Sequence, residues 1–130
     1  MRVGKLSELR SKIAVIGTAQ STVRKLASRL RDVGYKSVVE RNLSQAAVDG
    51  NIAPGIVIFL PQTPRESRTL LARELRESNP STKIVMLYDD NISGTEFADA
   101  VINANCEIED LIRVLVYLTN KGATDKVQKA

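Results

Sequence analysis

The sequence predicts an α/β fold, a doubly wound five-stranded parallel sheet with strand order 2-1-3-4-5. Three observations predict it. The stretch Gly55-Ile56-Val57-Ile58-Phe59-Leu60-Pro61 is an unbroken apolar run rich in β-branched residues, with Pro54 before it and Pro61 closing it. Such a run reads as a strand buried on both faces at the centre of a parallel sheet. Two further runs of the same kind occur, Lys12–Gly17 and Lys83–Tyr88. Between the runs, apolar residues recur at steps of three and four, the period of a helix face. Strands alternating with helices make a parallel sheet with right-handed crossovers.

Met1–Ser11 is polar and basic and reads as a loose N-terminal arm. Lys12–Gly17 is the first strand, followed by the polar turn Thr18–Ser21. Val23, Leu26, Leu30 and Val33 then form one helical face, and Gly34 supplies the stop. Lys36–Glu40 is short and alternating, the pattern of an edge strand. Asn42 and Gln45 have the spacing of a capping box for a second helix, which Gly50 and Pro54 cut short. After the central strand, Thr63-Pro64-Arg65-Glu66 predicts a helix start with Thr63 as N-cap and Pro64 at N1. Leu70, Leu71 and Leu75 are its expected buried stripe, and Asn79-Pro80 its end. Lys83–Tyr88 is the fourth strand and Ala98–Ile102 a short fifth. The connection between them, Asp89–Phe97, is dominated by turn residues and holds one helical turn at most. The last helix is expected from Asn105 to Lys121-Gly122, with Ile108, Leu111, Ile112, Leu115 and Leu118 inward and 122–130 as a tail or linker. One domain over 12–121 results.

Composition narrows the function. The 130 residues are 43% apolar and 26% charged, a globular balance. No apolar run approaches the roughly 20 residues of a membrane helix, and the N-terminus lacks the apolar core of a signal peptide. A single cysteine fits a reducing, cytoplasmic setting. The absence of histidine removes the usual general base and the commonest metal ligand. No metal site, no cofactor and no enzymatic activity are therefore expected. The net charge of +4 raises nucleic acid as a partner. However, the basic residues are scattered, and three Tyr and two Phe without Trp make no stacking platform, so nucleic acid is not expected either.

From Lys12 to Asn120 the sequence resembles a response-regulator receiver domain, which is CheY-like and flavodoxin-like in strand order. The residues that carry the resemblance are Val33-Gly34-Tyr35, Pro54, Pro64 four residues beyond Leu60, Asn79-Pro80 before Lys83–Leu87, and Ala98–Ile102 with Glu109-Asp110-Leu111. The departures fall on the chemistry. The resemblance places a metal-binding acidic pair at Gly17-Thr18, the phospho-accepting Asp at Leu60, a Ser or Thr at Tyr88, and Lys-Pro at Ala104-Asn105. Phosphoryl transfer needs a carboxylate nucleophile, a divalent ion and a cation on the phosphoryl oxygens. The expectation is a degenerate pseudo-receiver whose fourth helix is shortened or absent.

Four further places are candidates. Asp89 and Asp90 are adjacent acids at the sheet rim, more readily turn chemistry than a cation site. Thr18, Ser21 and Thr22 lie at a helix start, where N–H groups attract anions or simply need caps. Cys106 lies near the start of the last helix, where the dipole lowers a thiol pKa; its alternative is a small buried apolar residue. Val114 and Val116 widen the apolar arc of the last helix to about 200°; they either cover the gap left by the shortened fourth helix or, with Tyr117, form a surface for a protein partner or self-association. The function expected is a non-catalytic, phosphorylation-independent signalling module acting by protein–protein contact. The alternative is a small-molecule or anion-binding domain using the crevice around Thr18, Gln20 and Asp89.

Overall fold

The computed structural model describes residues 12–42, 55–61, 63–89 and 95–129. Its sheet is built from β1 (Ile13–Gly17), β2 (Val38–Asn42), β3 (Ile56–Phe59), β4 (Lys83–Tyr88) and β5 (Ala100–Asn103). All pairings are parallel and the order is β2-β1-β3-β4-β5. The predicted topology is therefore the observed one, with β3 at the centre and β2 at an edge. Three helices accompany it among the described residues: α1 (Gln20–Val33), α2 (Arg65–Ser78) and α3 (Ile108–Lys129).

Strand pleating divides the core in two. Ile13, Val15, Ile56, Ile58, Val85 and Leu87 point to one face, where α1 contributes Val23, Ala27 and Leu30 and α3 contributes Leu111, Leu115 and Leu118. Ala14, Ile16, Val57, Phe59, Ile84 and Met86 point to the other, where α2 contributes Leu71, Ala72 and Leu75. Burial on both faces is why these strands read as continuous apolar runs rather than alternating ones. At the end of α1, Gly34 takes φ 130°, its N–H reaches the Arg31 carbonyl, and the Tyr35 N–H reaches the Leu30 carbonyl. This is a Schellman closure, and its apolar contact partners Tyr35 and Leu30 are both buried.

Several boundaries differ from expectation. Val33 is 43% exposed and Ala27 holds the inward place; Leu70 is 49% exposed and Arg68 is buried instead. In both helices the stripe is rotated by about one residue, which step counting alone does not fix. β2 begins two residues later than expected, because Ile13 pairs with Val38. Asn42 is consequently its last residue and not a helix start; the rest of the expected second helix lies outside the described residues. The N-cap of α2 is Pro64, and Thr63 makes no capping bond, its hydroxyl donating to the Leu60 carbonyl at 2.6 Å. The fifth strand starts at Ala100, and α3 starts at Ile108 rather than Asn105, after a turn over Ala104–Cys106. α3 passes through Gly122 to Lys129, beyond the helix stop expected at Lys121-Gly122. A helical glycine costs only about 1 kcal/mol, and no proline follows it.

The connection between β4 and β5 carries the expected shortening. Thr95–Asp99 is turn and bend, leaving only 90–94, too few residues for a three-turn helix. The turn is fastened by Arg76 of α2. Its guanidinium donates to the Phe97 carbonyl at 2.9 Å, the Thr82 carbonyl at 3.3 Å and Asp99 Oδ2 at 2.8 Å. Asp99 Oδ2 also accepts the Ile84 N–H at 2.7 Å.

Candidate functional site

The C-terminal rim of the sheet is where α/β folds present ligand sites. Leu60 follows β3 there and is 4% exposed. Its N–H donates to the Ile16 carbonyl at 2.9 Å, and its own carbonyl accepts the Thr63 N–H and hydroxyl. These bonds fix the side chain over the end of β1. A Cβ at Gly17 would lie 2.8 Å from Leu60 Cδ1, 3.0 Å from Val23 Cγ2 and 3.3 Å from Leu60 Cβ. Gly17 is thus the residue that lets Leu60 settle on β1, and the space between β1 and β3 is filled with hydrocarbon.

The other rim residues diverge. Ala104, whose N–H donates to the Tyr88 carbonyl at 2.7 Å, lines a groove with Leu60, Leu87 and Asp89. Tyr88 is half-buried and, by strand alternation after Leu87, faces the α2 side. Thr18 is exposed and lines a different groove with Gln20, Glu40 and Asn42. The structure therefore joins Gly17, Leu60 and Ala104 and separates Thr18 and Tyr88 from them. The single crevice expected around Thr18, Gln20 and Asp89 is two grooves.

The anion site expected at Thr18, Ser21 and Thr22 is also divided. The N-cap of α1 is Ala19, with no side-chain capping bond, so neither Thr18 nor Ser21 caps. The N–H groups of Thr22 and Val23 both reach the Ala19 carbonyl at 3.1 Å, which occupies two of the donors an anion needs. Thr22 lines the groove with Leu60, while Thr18 belongs to the other. Asp90 lies outside the described residues, and among those described no three His, Cys, Asp or Glu side chains gather as metal ligands.

Cys106 is half-buried and packs against the α1–α3 core. Burial, and secondarily the charge of Asp110, push its thiol above the ordinary 9.0. The helix dipole does not activate it, because α3 begins two residues later and its first turn carries Glu109 and Asp110. On α3, Val114 packs against the core while Tyr117 is 59% exposed. Val114 and Tyr117 share a flank at the i, i+3 spacing; Val116 lies about 200° from Val114 on the other flank.

Three residues of the rim and the shortened connection were not legible as such. Arg68 is 6% exposed, and burial, then Arg65, lowers its pKa while Glu96 opposes. Its signal is positional, three residues before Leu71 and seven before Leu75 on the buried stripe. Lys25 and Arg29 line the Leu60 groove, a role that their place on a solvated helix face conceals.

The sequence matches no family model and no curated protein. Solved structures do resemble the fold. The BeF3-activated receiver domain of DrrB superposes with a TM-score of 0.71 at 20% identity, covering 85% of this chain and 98% of that one. The chemotaxis response regulator CheY4 of Vibrio cholerae gives 0.67 at 16% identity, covering 84% and 98%. The response regulator TrrA of Thermotoga maritima, in complex with Mg(2+)-BeF, gives 0.67 at 17% identity, covering 83% and 98%. At these identities the likeness is one of fold, and the fold is that of a receiver domain.

Proposed function

We propose that this chain is a phosphorylation-independent signalling module, a pseudo-receiver that is not an enzyme and acts by protein–protein contact in a cytoplasmic setting. One observation carries the reading. Leu60 occupies the place at which the resemblance puts the phospho-accepting aspartate, and it is buried against Gly17 in the core cluster that also holds Val23. Gly17 and Thr18 offer no carboxylate to a divalent ion, and Ala104 offers no ammonium to a phosphoryl oxygen. All three requirements of phosphoryl transfer are unmet by these side chains. What the fold retains is surface. The flank of α3 that carries Tyr117 is the proposed contact for a protein partner or a second copy.

Intact-mass measurement after incubation with acetyl phosphate and Mg²⁺ tests the reading. The mass is expected to stay unchanged. A stable single phosphoryl adduct on an aspartate overturns it.

A further inference from the structure

The groove beside Leu60 has two kinds of wall. Its floor is hydrocarbon: Leu60 and Leu87, both buried, with Pro61, Ala104 and the half-buried Leu26. Its rim carries Lys25 and Arg29, exposed and one helical turn apart on α1. Neither cation has a hydrogen bond or ion pair among the described residues. Among the described residues Asp89 is the one acid that lines the groove, and it is already engaged in an interaction of its own. The rim is thus electropositive over an apolar floor. Its volume, about 430 Å³, lies within the size range of small-molecule sites.

Neither half of this groove suffices alone. Exposed cations hold a small hydrophilic anion weakly, because solvent screens the pairing. An uncharged apolar molecule gains from the floor but leaves the rim cations without a counter-ion. Both surfaces are used together by a molecule with an anionic head and a short apolar body. We infer that the groove between α1 and the β3–β4–β5 rim binds an amphipathic organic anion, a carboxylate or phosphate monoester on an aliphatic or aromatic body. This is a ligand where the resemblance puts covalent chemistry, and it stands whether or not α3 meets a protein partner.

The test is a titration of the full, ¹⁵N-labelled chain with octanoate and with octyl phosphate, followed by amide chemical shifts. Saturable shifts at Leu60, Leu87, Ala104 and Asn105 are expected, with a Kd of order 1 mM for a ligand of this size. Affinity should rise about twofold to fourfold per methylene from hexanoate to decanoate, as the body covers more of the floor. Octylamine and octanol should bind at least tenfold more weakly. The double variant Lys25→Glu/Arg29→Glu should lose octanoate binding at least tenfold with its melting temperature unchanged, since both side chains are exposed. The neutral pair Lys25→Gln/Arg29→Gln serves if that variant misfolds. Shifts that do not saturate or that map elsewhere overturn the assignment. Equal binding of octylamine, or undiminished binding by a folded charge variant, does so as well.

Discussion

At the scale of single residues, the contact between Leu60 and Gly17 decides what the rim does. A Cβ at Gly17 would meet Leu60 Cδ1 at 2.8 Å and Leu60 Cβ at 3.3 Å, so a side chain there requires Leu60 to shift. Gly17→Ala should therefore lower stability by about 1–3 kcal/mol, the usual cost of overpacking a filled core. Urea denaturation measures it; an unchanged midpoint means that Leu60 yields freely. Cys106 makes a second prediction. Burial and the neighbouring Asp110 raise its thiol pKa above 9.0 in the folded chain. The unfolded chain then ionises first as pH rises. The contribution to stability is whole below about pH 9 and is lost as pH climbs through the folded-state value. Cys106→Ser should remove that part of the alkaline loss, and alkylation of the folded thiol at about pH 8 should be slower than that of free cysteine. The apolar run between Pro54 and Pro61 read as the central strand, and β3 (Ile56–Phe59) takes that place because burial on both faces demands such a run. Helix periodicity misplaced Val33 and Leu70 because a three-four repeat defines a stripe but not the side of it that meets the sheet.

At the scale of elements, the shortened connection is held by a few polar bonds where the resemblance leads one to expect a helix. Arg76 donates to Phe97, Thr82 and Asp99, and Asp99 accepts from Ile84, so one carboxylate joins α2, the turn and β4. The pair is about a quarter to a third exposed, which weakens its electrostatic share. Asp99→Ala should still cost about 1–3 kcal/mol, because it strips the Ile84 N–H and the guanidinium of an acceptor together. Amide exchange at Ala98 and Ile84 should accelerate with it; unchanged protection there would mean that the turn is held by packing alone. The turn residues announced the shortened connection, but the clamp was hidden, because 23 residues separate its partners in sequence. α3 divides the expected partner surface in a similar way. Val114 packs on the core, whereas Tyr117 stands out. Tyr117→Glu should lower the melting temperature less than Val114→Glu and weaken any self-association seen by analytical ultracentrifugation. Val114→Glu should lower the melting temperature, since it forces a carboxylate against apolar neighbours.

At the scale of the whole molecule, topology was the most legible feature, because parallel strands covered on both faces leave uninterrupted apolar runs in the sequence. The shape of the rim was not legible. Which loops meet depends on crossovers: Thr18 follows Gly17 directly and still lines the groove on the other side. Leu60→Asp should not restore phosphorylation by acetyl phosphate in the presence of Mg²⁺. The new carboxylate would sit at the end of β3, beside the β1 terminus that carries Gly17 and across β4 from Ala104, which follows β5. A divalent ion needs oxygen ligands from the first and a phosphoryl group needs a cation from the second. Lys25 and Arg29 line the same groove, but they reach it from α1 and not from the end of β5. Metal-free attack lacks the divalent ion that brings the carboxylate and the phosphoryl oxygens together and neutralises the charge between them. The variant should also be less stable, because it buries a carboxylate where an aliphatic side chain is 4% exposed. Intact mass and a denaturation curve read both effects on one sample. A phosphoryl adduct on that single variant would show that the rim supplies an ion site and a cation from other residues, and the pseudo-receiver reading would then fail.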